Sequence, residues 1–336
     1  MSTSLKKYFP AGTPVKWSAS AENYITEYGE LILNDDTTLN IELKDSKIAF
    51  EWDGGGTKTV WFGNNQVTSA SPICVGDDGP MTQIDYGSNF SNDSTTKNVF
   101  IDAKGLPSKD VYISTTFNFD TNVIENIEII NSSHITKFNN AFAYMQHLKT
   151  LIIDTSGATE LKFMFSNNAI ENPPYLNTSN VIDVEGMFAK CNNLKNIPPY
   201  DFSKVTNMKS AFSICPNITS IPPLDTHNVE SVYFCFAQCT KLESVPLLDF
   251  SNVTNARLAF AECPSLKNVG GFIGLKTDIE FKYSPLLTHD SALNIIDNLA
   301  VSSGHKVVFK KATFDTLTPE DIAKATSKGW EIRSVQ

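Results

Sequence analysis

"SIPPLDTHNVESVYFCFAQC" spans Ser220 to Cys239. One repeat earlier the chain reads "NIPPYDFSKVTNMKSAFSIC", Asn196 to Cys215, and one repeat later "SVPLLDFSNVTNARLAFAEC", Ser244 to Cys263. Phenylalanine keeps the beat at Phe142, Phe165, Phe188, Phe212, Phe236 and Phe260, in steps of 23, 23, 24, 24 and 24. A fixed period in this range marks stacked units, because one unit cannot bury its apolar face alone. Eleven residues before each Phe stands Asn131, Asp154, Asn177, Asp201, Asp225 or Asp249. Three residues after the last four stand Cys191, Cys215, Cys239 and Cys263.

Each repeat reads as two halves. Val205, Met208, Phe212 and Cys215 fall at the spacing of one helix face. Ile218 and Ile221 lead through Pro222-Pro223 to Leu224, which suits one brief strand that must end or bulge at the prolines. The Asp ladder is expected to cap turns rather than bind a cation. Strands pair about 4.8 Å apart and helices pack about 8–10 Å apart, so the helical side is expected to spread and the stack to curve. The cysteines are expected to be reduced, buried, and held a helix spacing apart from one another.

The segment "LDTHNVESVYFCFAQCTKLESVPLLDFSNVTNARLAFAECPSL" resembles the leucine-rich repeats of BspA-like bacterial surface proteins, whose form is roughly L-D-T-S-N-V-T-N-M-x-x-M-F-x-x-C-x-x-L. The likeness runs from about Asn122 to Leu275. Met145 and Asn168 depart from it at the Cys position, and the Pro-Pro is missing near Leu151. "SPLLTHDSALNIIDNLA" and "LTPEDIAKATSKGWEI" also resemble the endings of repeat proteins in phage and prophage of gut bacteria, where such chains look like tail or fibre components. The resemblance implies adhesion or recognition rather than chemistry.

The expected fold is therefore an α/β repeat solenoid, leucine-rich-repeat-like with a 23–24-residue period, between a small N-terminal β domain and an α/β C-terminal cap. The divisions are 1–115, 116–275 and 276–336. In the first, "ELILNDDTTLNIEL" and "KIAFEWDGGGTKTVWF" alternate as β-hairpins, the latter turning at Asp53, and Val111 to Phe119 reads as a strand. Residues 75–100 read as a long loop. In the last, Thr288 to Ala300 reads as a helix with Leu293, Ile296 and Leu299 on one face. "KVVF" reads as a strand, and Thr318-Pro319 starts a second helix that Gly329 ends.

Apolar residues make up 41% and charged residues 19%, which permits a packed core. Formal charge is -10 with no basic run, which disfavours nucleic acid. No apolar run is long enough to insert in a membrane. Cys235 and Cys239 lack a second pair, and His134, His147, His227, His289 and His305 are scattered, so no cofactor, metal or enzymatic site is expected. What remains is surface: Lys149 and Thr150, Lys195 and Asn196, Thr219 and Ser220, Glu243 and Ser244, and Lys267 and Asn268 form the expected binding row, on a concave face. The opening residues carry two lysines without an apolar stretch and do not read as a secretory signal. The resulting expectation is a virion fibre or decoration protein. Its N-terminal domain would dock to other virion proteins, with homo-oligomers possible, and its repeats would meet a host-surface glycan or protein. The alternative is a bacterial cell-surface adhesin.

Overall fold

A computed structural model of the chain describes the backbone of residues 123–336 and every side chain among them but that of Ile130. Of the preceding residues it describes strands between Ser2 and Asp102, together with Ala103 and Leu106. The expected strand at Val111–Phe119, the turn at Asp53 and Cys74 lie outside the described residues. The chain divides into two compact units, one of residues 1–83 and 98–101, the other of residues 84–97 and 102–336.

In the first unit, Ser2–Phe9 pairs antiparallel with Thr37–Lys44. Pro14–Ala21 pairs antiparallel with both Glu27–Ile32 and Ser46–Glu51, and Lys58–Phe62 pairs with Asn65–Ser69. The two expected hairpins are thus corrected: their strands form, but each pairs elsewhere. Alternation of apolar residues marks a strand and its faces without naming its partner. The expected loop 75–100 contains the strand Thr82–Ile84 and the start of Asn98–Asp102.

The second unit contains the repeats, stacked in parallel register. Single bridges run Lys137–Glu160–Asp183–Asn207–Ser231–Asn255, so each repeat meets the same position of the next. The half that spaced its apolar residues like a helix is not helical. In the repeat around Phe212, the N–H groups of Met208, Ser210, Phe212 and Ile214 donate to carbonyls of Ser231, Tyr233, Cys235 and Ala237 in the next repeat. The intervening Ala211 and Ser213 donate three residues back, to Met208 and Ser210. These are overlapping turns. Ser210 and Ile214, two residues before and after Phe212, sit at φ 54° and 57°. The same flanking pair recurs at Asn140 and Tyr144, Phe163 and Asn167, Gly186 and Lys190, Phe234 and Gln238, and Leu258 and Glu262. Two left-handed residues four apart in each repeat prevent the i to i−4 bonds of an α-helix and turn alternate N–H groups toward the neighbouring repeat.

This correction removes the reason to expect curvature. Successive Phe rings from Phe142 to Phe260 stack with centroids 5.2–5.7 Å apart, well under a helix-to-helix spacing. Both halves of the repeat therefore rise at close to strand spacing, not at the helix spacing from which the curve was expected. The rings are fully buried, as are Val205, Met208, Val229 and Val232 of the same repeats. The ladder continues past the repeats through Phe281 and Phe309, at 5.7 and 6.0 Å.

The described cysteines, Cys191, Cys215, Cys235, Cys239 and Cys263, are free and buried, but not because helices hold them apart. At the repeated position each thiol donates to a Phe carbonyl one repeat back: Cys191 to Phe165, Cys215 to Phe188, Cys239 to Phe212 and Cys263 to Phe236, at 3.0–3.1 Å. Asn168, which replaces Cys, does the same through its amide, reaching Phe142 O at 3.0 Å. The position calls for a small donor. Burial pushes the thiols of Cys191 and Cys239 up to about 12, so they stay protonated and able to donate.

The last turns close the stack. The helix His289–Asn298 begins at Thr288, whose side chain accepts from Ser291 N. Ile296 and Leu299 are buried as expected, and Leu293 is half-buried. The helix Pro319–Ser327 has a full capping box between Thr318 and Asp321, and Gly329 follows it at φ 87°. Ile279–Phe281, His305–Lys310 and Trp330–Val335 form a parallel sheet, whose last strand was not anticipated. Trp330 is buried, its indole N–H donating to Ala300 O at 2.8 Å.

Candidate functional site

The expected row does lie at the surface. Lys149, Lys195, Asn196, Thr219, Ser220, Glu243 and Asn268 are exposed; Thr150, Ser244 and Lys267 are half-buried. Three successive repeats bring six of these together. Ser220 bridges to Ser244, Ser244 pairs with Asn268, and backbone bonds run from Glu243 N to Thr219 O and from Lys267 N to Glu243 O. Lys195 and Asn196 share this register, Lys195 N donating to Glu171 O. Lys149 and Thr150 stand further off, paired with Glu125 and Asn126, and the offset repeat between places Glu171 and Asn172 on the surface. The backbone beneath the row is thus fixed by neighbours on both sides, while the side chains face water.

The charges of the row are matched between neighbours. Lys149 reaches Glu125 at 2.6 Å, Lys195 reaches Glu171 at 2.6 Å, and Lys267 reaches Glu243 at 3.4 Å. Such exposed pairs contribute little stability, typically about 0–1 kcal/mol. Their consequence is a face with almost no net field of its own.

The Asp ladder beside the row caps turns, as expected. Asp154, Asn177, Asp201, Asp225 and Asp249 each accept the backbone N–H two residues on. Bonds from Ser203 hold the Asp201 carboxyl below its usual range, and His227 does so for Asp225. A further charged row interlocks across the bridge positions, with Lys137 to Glu160 at 2.5 Å, Lys162 to Asp183 at 3.0 Å and Lys209 to Glu185 at 2.8 Å. The Lys137 bond lowers the Glu160 carboxyl, and Asp183 raises the Lys162 ammonium.

Residues 111–220 and 175–270 match the model of a family described as "Mycoplasma protein of unknown function, DUF285". Among solved structures, a leucine-rich cell surface protein from Faecalibacterium prausnitzii A2-165 is similar over 76% of this chain and 79% of its own, at 14% identity and a TM-score of 0.31. No curated protein matches the chain. Neither description carries the phage setting expected above.

The histidines do not converge. His289 contacts Asp321 at 3.2 Å, His227 contacts Asp225 at 2.5 Å, and His305 lies over the Trp330 ring. Among the described residues no group of three metal-ligating side chains meets. Among them also, no helix is long and apolar enough to cross a membrane.

Sequence reasoning missed two parts of this face. Glu125 and Glu171 neutralise the row's lysines; aligning the repeats in their 24-residue register places Glu171 opposite Lys195. It also missed an apolar stripe. Tyr175, Pro199, Pro223 and Leu247 occupy one position of four successive repeats and are all exposed, Tyr175 by 56% and Leu247 by 49%. Tyr200, by contrast, is buried one position later, its hydroxyl donating to Pro174 O at 2.8 Å. The signal was present: the position two before Asn177, Asp201, Asp225 and Asp249 holds a proline or directly follows one, and proline cannot pair as a central strand.

Proposed function

We propose that the chain is a non-enzymatic repeat protein of a bacterial cell surface, a leucine-rich-repeat-like solenoid that adheres through the face formed by Lys195, Asn196, Thr219, Ser220, Glu243, Ser244, Lys267 and Asn268. The observation that carries this reading is the split of each repeat. Phe, Cys and Val are committed to the core, whereas this row is held rigidly by backbone bonds yet leaves its side chains exposed. A preordered face loses little conformational freedom on binding. The groups that could suggest chemistry are already occupied. The Asp carboxylates cap turns, and the thiols are protonated donors inside the core. The likeness of the repeats to BspA-like surface proteins favours this setting over a virion. Single contacts on such a face would be weak, so adhesion gains from many copies.

The test is binding of fluorescent protein-coated beads to intact bacterial and epithelial cells. Lys195→Glu, Thr219→Arg, Glu243→Arg and Lys267→Glu are combined in one variant, with folding checked by its melting curve. Beads bearing the parent should adhere and beads bearing the folded variant should not. Equal adhesion would move the function off this face.

A further inference from the structure

We propose that the stripe Tyr175–Pro199–Pro223–Leu247 is the seat of a neutral glycan chain laid along the axis of the stack, with the adjoining Asn196, Thr219, Ser220 and Ser244 bonding its hydroxyls; this rests on the adhesive reading of the same face. The stripe crosses three repeat steps, about 14 Å at strand spacing. It stays exposed along its whole length and then stops. At the next repeat Gly270 and Gly271 replace the apolar pair, and a Cβ at Gly271 would stand 2.6 Å from Asn294 O in the helix His289–Asn298. The cap therefore closes one end.

Several observations select the occupant. A peptide adding itself as a strand needs free backbone donors, but Pro174, Pro198, Pro199, Pro222, Pro223 and Pro246 have none. A stable protein interface needs about 800 Å² per partner with a packed apolar centre, and a stripe one or two residues wide does not supply it. A polyanion would meet Asp201, Asp225 and Asp249 along the far edge of the stripe, with the carboxyls of Asp201 and Asp225 held ionised. A polycation would find the row's carboxylates already paired with lysines, and those of Asp201, Asp225 and Asp249 already accepting the N–H groups of their own turns. A neutral sugar chain fits both sides. Its flat C–H faces can lie on the Tyr175 ring and the pyrrolidine rings, while its hydroxyls reach hydroxyl and amide groups beside them. Water is displaced from apolar surface without any charge being buried.

The experiment uses the full chain on an array of neutral oligosaccharides alongside sialylated and sulfated ones, with Tyr175→Ser combined with Leu247→Ser as the variant. These side chains are exposed, so the variant should melt as the parent does. The expected result is binding to neutral oligosaccharides, increasing with chain length and reduced at least tenfold in the variant. Binding confined to anionic glycans, absence of binding to any arrayed glycan, or an unchanged variant overturns the proposal. Cell adhesion separates the two levels. If beads bearing the parent adhere and neutral oligosaccharides do not compete, the adhesive reading stands and the glycan class falls. If they do not adhere at all, the adhesive reading falls too.

Discussion

Val205, Met208, Phe212 and Cys215 in the repeats, and Leu293, Ile296 and Leu299 in the cap, share the spacing of a helix face. Only the second set forms one. The cap segment has Thr288 to accept an orphan N–H at its start, and it contains no left-handed residue. The repeat segment has a left-handed residue on each side of its Phe, and its N–H groups find partners in the next repeat. Apolar period reports which side chains share a face. It does not report whether the backbone bonds to itself or to a neighbour, and a second copy of the same segment at hand changes the answer.

The largest expected effect probes the neighbour. Phe236 lies between Phe212 and Phe260, at 5.5 and 5.6 Å, and is fully buried. Phe236→Ala should cost about 3–5 kcal/mol, read as a drop in the urea midpoint. An almost unchanged midpoint would remove the stack as the source of cohesion.

Next comes a substitution whose sign differs between the two backbones. Gly186 has φ 61°, and a Cβ there would stand 2.1 Å from the Phe163 ring. In a helix, Gly→Ala would gain about 1 kcal/mol. In this turn, Gly186→Ala should lose at least about 1–2 kcal/mol, because the left-handed region penalises a Cβ and the Phe163 ring must also move aside. Denaturation of this one variant decides which backbone is present.

The cap gives the counterpart. Asp321 accepts from the backbone N–H and the hydroxyl of Thr318, and His289 lies beside it; these bonds hold its carboxyl at about 2. A folded value below the unfolded one means the contribution is complete above about pH 4 and disappears as pH falls toward 2. Thermal midpoints measured from pH 5 to 2 should fall in that window. Thr318→Ala should cost about 0.5–2 kcal/mol at neutral pH and make the acid fall shallower without abolishing it, since it removes the hydroxyl bond to Asp321 while the backbone N–H and His289 remain. An unchanged acid profile would detach Asp321 from the cap's stability.

Much of this was legible in the chain. The Phe register, the burial of Cys191 to Cys263, the Asx turns and the Thr318 cap all follow from residue type and spacing. Three things were not. The left-handed positions are filled by Asn, Tyr, Phe, Lys, Ser, Ile, Gln, Leu and Glu as well as Gly, so no glycine pattern announces them. The donor role of Cys emerged only where Asn168 performs it with different chemistry. The row of Lys149, Lys195, Thr219, Glu243 and Lys267 was visible as exposed, but its neutralisation depends on pairs 24 residues apart, and of the stripe only Pro223 had been read, as part of the break that ends a strand.

The smallest effect is also the sharpest test of the comparison. Ile214 is half-buried at φ 57°, its N–H donating to Ala237 O. A β-branched residue is among the worst for this region, where Asn is enriched. The strain is about 1–2 kcal/mol, and replacing Ile by Asn should recover most of it. Against that stands the loss of part of a half-buried side chain, about 1 kcal/mol. The balance for Ile214→Asn is a gain of about 0.5 kcal/mol, seen as a small rise in the urea midpoint with an unchanged slope. In a helical segment the same change would be unfavourable, since Asn brings no propensity advantage over Ile and removes apolar contact. A fall in the midpoint corresponding to a loss of about 1 kcal/mol or more would mean that position 214 is held by packing rather than by its turn. The contrast between the repeats and the cap would then rest on Gly186 alone.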